Sequence, residues 1–151
     1  MKRFASVEEL LDFAIGEEVA AAQFYLELAA RVDRPWMKRV FEDFAAEERG
    51  HKAKLEAVRR GGAKGLPREA VLDLGIGDYL VDVSPEPGMD YQRALTLAMK
   101  KEKAAFRMYS DLAGASSEPA LRELLLGLAQ EEARHKLRFE LEYDEQFLKE
   151  N

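Results

Sequence analysis

The sequence predicts an all-α protein: a four-helix bundle made of two helical hairpins joined by one long crossover. Three observations support this fold class. Ala, Leu, Glu, Lys and Arg dominate the composition, four apolar stripes recur with a helical period, and the two halves of the chain resemble each other. With 151 residues, the chain is expected to form a single domain over 1–151 with a proper buried core.

The first two helices are expected at about 6–32 and 34–60. Ser6 and Glu9 read as a capping box that opens the first helix. Asp33 to Pro35 supplies a helix stop, a cap and a proline near the start of the second helix, and Gly61-Gly62 ends it. In both helices apolar residues recur three and four positions apart, which is the spacing of helices packed in a bundle.

The other two helices are expected at about 90–115 and 118–147, with Asp90 as the cap of the third. Residues 61–89 hold most of the Gly and Pro and lose the helical period, although 80–83 could form a short extended piece. This crossover far exceeds the 2–8 residues usual between neighbouring bundle helices. It is long enough to carry the chain from one end of a bundle to the other, as in the one-crossover bundle topology.

An internal repeat relates the two hairpins. A shift of 84 residues lays residues 18–56 over 102–140 without a gap, and 13 of the 39 aligned pairs are identical. The two hairpins are therefore expected to share one design.

Six ionisable residues interrupt the apolar stripes where the core should be. They are Glu18, Glu48, His51, Glu102, Glu132 and His135. An unpaired buried carboxylate costs several kcal/mol, so four of them predict bound cations. The alternative is that both histidines are merely capped by a carboxylate inside the bundle.

The spacing of these residues also predicts a metal site. Within each hairpin the first glutamate and the Glu-x-x-His glutamate lie 15 residues on either side of the turn, so they are expected at one height. Glu-x-x-His keeps carboxylate and imidazole on one helix face. Four carboxylates balance two divalent cations, and this donor set suits two Fe ions, with Mn or Zn also able to bind.

Charge and composition exclude several other functions. The net charge of −6 and the lack of a basic patch with interleaved aromatics argue against a nucleic-acid partner. No segment is apolar enough for a membrane span or a secretory signal, so the cytoplasm is the expected location. The absence of cysteine excludes disulfides and thiolate metal sites.

The sequence resembles the rubrerythrin family of ferritin-like di-iron proteins. The resemblance lies in residues 18–25 (EVAAAQFY), 44–52 (FAAEERGHK) and 131–136 (EEARHK), and it extends over all four helices. It implies a di-iron centre in which Glu48 and Glu132 bridge the metals. Glu18 and His51 would then serve one iron, and Glu102 and His135 the other.

Two departures from that family affect the expected activity. Rubrerythrins proper carry a rubredoxin domain with four cysteines, whereas this chain has none, so turnover would need an external electron donor, rubredoxin-like or other. They also carry an extra glutamate one turn after the third-helix ligand. In this chain Ala105 occupies that position, and the repeat-related residue is Ala21. The two sides of the metal site are therefore expected to have the same ligands.

The leading interpretation is a di-iron oxidoreductase that reduces hydrogen peroxide or dioxygen, as in defence against oxidative stress. Alternatives are a ferroxidase or iron-handling protein and a non-enzymatic metal-binding helical module. Tyr25 and Tyr109, two turns after Glu18 and Glu102, either pack in the core or direct a hydroxyl at a ligand carboxylate. A homodimer is compatible with long helices that have leftover apolar flank positions.

Overall fold

The structure is a computed structural model and describes residues 3–81, 86 and 88–148. These residues form α1 (Val7–Arg31), α2 (Pro35–Arg60), α3 (Arg68–Leu72), α4 (Tyr91–Ala115) and α5 (Pro119–Tyr143). A 3₁₀ turn at Ile76–Asp78 follows α3, and a π-helical turn at Asp144–Leu148 follows α5. The chain divides into two compact units, residues 4–64 and residues 65–151 together with 1–3.

The first unit is a helical hairpin of α1 and α2, called here the first hairpin. Ser6 caps α1, because its hydroxyl accepts a hydrogen bond of 3.0 Å from the amide of Glu9. The predicted cap of α2 is absent: Arg34 occupies the N-cap position without a side-chain cap bond, and Pro35 provides the start instead. The hairpin buries large apolar side chains from both helices, among them Leu11, Tyr25, Leu28, Met37, Phe41 and Leu55.

The second unit contains the hairpin of α4 and α5, called here the second hairpin. Asp90 caps α4 by accepting a 2.8 Å hydrogen bond from the amide of Gln92. The tyrosine at the start of α4, Tyr91, donates a 2.7 Å hydrogen bond to the buried carboxylate of Glu142 on α5. The core of the second hairpin includes Leu95, Met108, Tyr109, Leu112, Leu125, Leu128 and Phe139.

Most of the predicted crossover belongs to the second unit and packs on the second hairpin. The carbonyl of Gly65 accepts a 2.7 Å hydrogen bond from the amide of Ser117. Tyr79 is buried and donates a 2.9 Å hydrogen bond to Asp111 on α4. Burial, and then the hydrogen bond and negative charge of Asp111, raise the pKa of Tyr79 above its ordinary value, so the phenol stays protonated.

The crossover contains local structure that the apolar pattern did not predict. Helix α3 and the 3₁₀ turn that follows it are short elements, and each is too short to show a helical period in sequence. Leu80 and Val81, the first half of the predicted extended piece, are not in a strand, and residues 82 and 83 lie outside the described residues. An isolated bridge pairs Arg3 with Gly75.

Candidate metal centre

The first hairpin brings Glu18, Glu48 and His51 together, and these residues are called the first triad. Glu18 comes from α1, while Glu48 and His51 come from α2. The Nδ1 atom of His51 lies 3.4 Å from Glu18 Oε2 and 3.4 Å from Glu48 Oε1. All three side chains are at most 2% exposed.

The second hairpin repeats this arrangement with Glu102, Glu132 and His135, the second triad. Glu102 comes from α4, and the other two residues come from α5. The Nδ1 atom of His135 lies 3.7 Å from Glu102 Oε1 and 3.4 Å from Glu132 Oε1. The second triad is buried to the same extent as the first.

Local sequence explains how each helix aims these groups inward. Glu18 and Glu102 occupy core positions of their helices, since Ala14 and Ala98 four residues earlier are fully buried and Tyr25 and Tyr109 seven residues later are too. The i, i+3 spacing of Glu-x-x-His then points carboxylate and imidazole toward the same side of α2 or α5. The helical period therefore builds each triad from only two helices.

The distances suit metal ligands better than a hydrogen-bonded histidine. An N–H···O hydrogen bond joins its heavy atoms at about 2.7–3.2 Å, shorter than any of these four contacts. Two donor atoms that each lie about 2.0–2.2 Å from one ion, at tetrahedral or right angles, are about 2.8–3.6 Å apart. The three contacts of 3.4 Å lie within this range, and the 3.7 Å contact lies just above it. In each triad the potential ligand atoms lie within 4.8 Å of one another.

The donor chemistry defines which ions fit. Each triad offers two carboxylates and one imidazole, so one divalent cation with neutral histidine would leave it without net charge. Carboxylate oxygen with imidazole suits iron or manganese, and zinc also accepts this set. The residues present therefore fit the iron ions predicted from the sequence.

The two tyrosines predicted near the site lie where the repeat places them. Tyr25 on α1 and Tyr109 on α4 are both at most 1% exposed. Each lies two helical turns beyond the triad glutamate of its own helix. They are core residues of their hairpins, and a contact from their hydroxyls to the ligand carboxylates stays a prediction.

A surface groove that the sequence did not reveal reaches the first triad. It lies between α1 and α2, has a volume of about 460 Å³, and includes Glu18 in its lining. Its walls include the small residues Ala22 and Ala53. Their repeat mates are Phe106 and Leu137, both large and partly exposed, so the same space is more crowded on the second hairpin. The small residues mark the groove only once the helix pairing is known.

The fold and the two triads define this chain as a helical protein with a buried cluster of carboxylates and histidines that could hold metal ions. A family model described as Rubrerythrin matches residues 9–143, and the chain belongs to the rubrerythrin family. No curated protein matches the chain. The helices contain no segment in the described residues that is long and apolar enough to cross a membrane.

Two solved structures have a similar fold. A hypothetical protein from Pyrococcus furiosus is 30% identical, with a TM-score of 0.72 over 93% of this chain and 89% of that one. A protein from Thermotoga maritima, described as a candidate ferritin-like diiron-carboxylate protein, is 19% identical, with a TM-score of 0.76 over 96% of this chain and 98% of that one. The predicted fold class, an all-α ferritin-like four-helix bundle of two hairpins, is confirmed.

Proposed function

We propose that the protein is a di-iron oxidoreductase that reduces hydrogen peroxide or dioxygen. The observation that carries the proposal is the repeated triad: two buried carboxylates and one histidine in each hairpin, at repeat-related positions. Each triad supplies ligands to one ion of a two-metal centre. Four carboxylates then balance two divalent cations, which offsets the cost of burying them.

Two ferrous ions held by the triads would supply one electron each, which together with two protons would convert hydrogen peroxide into two molecules of water. The residues of the chain hold the ions and keep bulk water away. From the resemblance to the rubrerythrin family, Glu48 and Glu132, the glutamates of the two Glu-x-x-His motifs, would be the ligands shared by both ions. Tyr25 and Tyr109 are proposed to orient ligand carboxylates through their hydroxyls, since a buried tyrosine hydroxyl normally finds a polar partner.

The groove between α1 and α2 supports access for a small oxidant. Glu18 is 2% exposed and lines this groove, while Glu48 and His51 do not line it. A peroxide or dioxygen molecule in the groove therefore approaches a ligand without opening the core. The polar residues of the lining, which include Gln23, Arg49, Lys52 and Glu56, are compatible with a small polar molecule such as hydrogen peroxide.

Ferroxidase activity, in which ferrous iron is itself the substrate, is the second candidate. It is favoured by the like composition of the two triads and by Ala21 and Ala105, which stand three residues after the triad glutamates of α1 and α4. An extra carboxylate at position 105 would make the two sides of the site different, and this chain does not have one. A symmetric site is compatible with simple oxidation of two ferrous ions.

Electrons for repeated turnover must come from outside these 151 residues. They contain no cysteine, so they hold no thiolate-ligated iron centre that would pass electrons to the triads. Peroxidase turnover requires a donor to return two electrons after each peroxide. Ferroxidase turnover instead brings fresh ferrous iron, so the dependence on a donor separates the two candidates.

The test is to measure bound metal and the response of the reduced protein to hydrogen peroxide. Protein purified from iron-replete medium should hold two irons per chain, and its visible absorption should rise when peroxide oxidises the ferrous form. His51→Ala should lower both, whereas Glu123→Gln, an exposed position on α5, should leave both unchanged. Zinc with no spectral response, or no bound metal, would instead indicate a structural or sensory module.

A further inference from the structure

Helix α4 carries a stripe of exposed cations on its outer face. The stripe comprises Arg93, Lys100, Lys103 and Arg107, all of them exposed. Their spacing of seven, three and four residues keeps them on one side of a helix. Glu102, in contrast, points into the core at 2% exposure, so the metal-ligand face and the cationic face of α4 are opposite.

The charge of this stripe differs in sign from that of the whole chain. The 20 residues from Tyr91 to Ser110 contain five basic residues and one acidic residue, Glu102, while the net charge of the chain is −6. Asp78 lies 3.8 Å from Arg107 and offsets part of the charge at that end. The other stripe residues, Arg93, Lys100 and Lys103, extend the positive field along the helix, where exposed charges act over about one Debye length.

Shallow clefts flank the stripe on both sides and meet at Lys100. One has a volume of about 270 Å³ and is lined in part by Arg93 and Tyr143. The other has a volume of about 440 Å³ and is lined in part by Leu80, Lys103 and Arg107. Leu80 is 47% exposed, so the surface combines cations with a small apolar contact. Small mixed surfaces of this kind are typical of transient protein encounters.

The internal repeat shows that the bundle does not require these cations. The repeat mates of the four stripe residues on α1 are Glu9, Gly16, Val19 and Gln23, and none of them is basic. The ligand glutamates Glu18 and Glu102, on the opposite face of each helix, are identical. Folding and metal ligation are therefore compatible with a neutral or acidic outer face. The cations of α4 must then have a role other than folding or ligation.

We infer that the α4 stripe is the docking surface for an acidic protein that carries one electron at a time and delivers it to the metal centre. The inference rests on the proposed function, since only a redox site needs such a partner. Two encounters each transfer one electron, so that two ferric ions become ferrous while two donor molecules are oxidised. A donor seated over Lys103 lies across one helix from Glu102, and a helix with its side chains is only about 10–12 Å wide.

Charge complementarity favours a protein over nucleic acid as the occupant. The stripe spans about 21 Å along the helix at 1.5 Å per residue, and the rest of the chain is strongly acidic. A long polyanion would extend beyond the stripe and be repelled by the net negative charge of the chain, whereas a small acidic protein matches the size of the stripe. Complementary charge of this kind mainly raises the rate of association.

The test uses reduced plant-type [2Fe–2S] ferredoxin as the acidic probe and the ferric, iron-loaded protein as the acceptor. The variant Lys100→Gln/Lys103→Gln/Arg107→Gln should lower the second-order rate of ferredoxin oxidation at least tenfold at low salt. The difference should shrink as salt is added, because screening removes the steering. The control Lys38→Gln/Arg39→Gln/Lys54→Gln removes the same charge from exposed positions of α2 and should change the rate less than twofold.

A second measurement does not depend on the metal. Oxidised ferredoxin titrated into ¹⁵N-labelled metal-free protein should shift amide signals of α4 around Lys100 and Lys103, and the triple variant should not show these shifts. Equal rates for variant and control, or shifts located elsewhere, would overturn the inference. Tighter binding of a 20-base-pair duplex DNA than of ferredoxin at physiological salt would overturn it too.

A wrong docking inference can be distinguished from a wrong proposed function. Chemical reduction with dithionite followed by peroxide should oxidise the triple variant as fast as the wild type. If peroxide fails to oxidise the wild type, the proposed function fails, whereas the amide titration still reports on the surface.

Discussion

The two hairpins are related by a shift of 84 residues, and the relationship is exact at the ligand positions but not at many of the positions around them. The ligand triads, Tyr25 with Tyr109, and the prolines that begin α2 and α5 are identical. Elsewhere the hairpins differ: the exposed Val19 corresponds to Lys103, and the buried Ala22 corresponds to the exposed Phe106. The comparison indicates that metal ligation constrains the ligand positions, whereas exposed positions such as Val19 and Lys103 are free to serve different partners.

The cores of the hairpins differ in a complementary way. Phe41 on α2 corresponds to Leu125 on α5, and Leu55 corresponds to Phe139, and all four side chains are buried. The large ring is therefore on the turn side of the triad in the first hairpin and on the far side in the second. Volume is kept while its position changes, which a close-packed core tolerates.

The largest effect should follow from breaking one triad at a time. His51→Ala and His135→Ala should each reduce bound iron from two ions per chain to one, because each removes the only nitrogen ligand of its triad. The affinity of the broken site should fall by more than the roughly 10–100-fold seen for partners of ligands. Metal analysis after dialysis measures this.

Two matched controls sharpen the triad experiment. Lys52→Ala and Lys136→Ala change the residues that follow the two histidines and should leave both ions bound. If one histidine variant loses both ions while the other loses none, the hairpins do not contribute equivalent sites.

Because the large ring occupies different positions in the two cores, substitutions at Phe139 and Leu55 should differ in their cost to stability. Phe139→Ala should lower the free energy of unfolding of the metal-free protein by about 3–5 kcal/mol, and Leu55→Ala by about 2–5 kcal/mol. Phe139→Leu installs the residue of the first hairpin and should cost less than Phe139→Ala, because less of the cavity is left. Urea denaturation measures all three, and an equal cost for Phe139→Leu and Phe139→Ala would contradict the volume argument.

Substitution of glycines in the crossover between the hairpins should have a smaller effect on stability. Gly65 has a φ of +88°, and an added Cβ would lie 2.9 Å from Cγ of Glu118. Gly65→Ala should therefore cost about 1–3 kcal/mol of unfolding free energy through strain and contact. Gly62 has a φ of +79° but no atom within 4 Å of an added Cβ, so Gly62→Ala should cost less. Thermal unfolding of the two variants side by side tests the difference, and equal costs would show that the contact with Glu118 is relieved.

The smallest effect should come from filling the groove of the first hairpin. Ala22→Phe installs the residue of the second hairpin and should slow peroxide oxidation of the ferrous protein about tenfold or less without loss of iron. Ala53→Leu, on the opposite wall, should act in the same direction. Ala57→Leu lies one turn further along α2, outside the groove lining, and should have no effect. Stopped-flow absorption measures the rates, and an unchanged rate for Ala22→Phe would mean that the oxidant enters elsewhere.

Long-range periodicity made much of this molecule predictable. The four long helices follow from stripes that extend over about seven turns each, and Glu18 and Glu102 were identifiable as charges within those stripes. Ser6 and Asp90 were identifiable as caps because capping depends on neighbouring residues. By contrast, α3 is only five residues long, too short to show a helical period in sequence, and it packs against α4.

The sequence by itself determined the class of fold, the six candidate ligands and their grouping into two triads, because helix geometry converts spacing directly into a shared face. Only the tertiary structure decided the exposure of each outer face. It showed that Ala22 and Ala53 line one groove and that the cations of α4 are flanked by clefts. The physical reason is that a ligand position is set within one helix or one hairpin, whereas a surface is set by every segment that packs beside it.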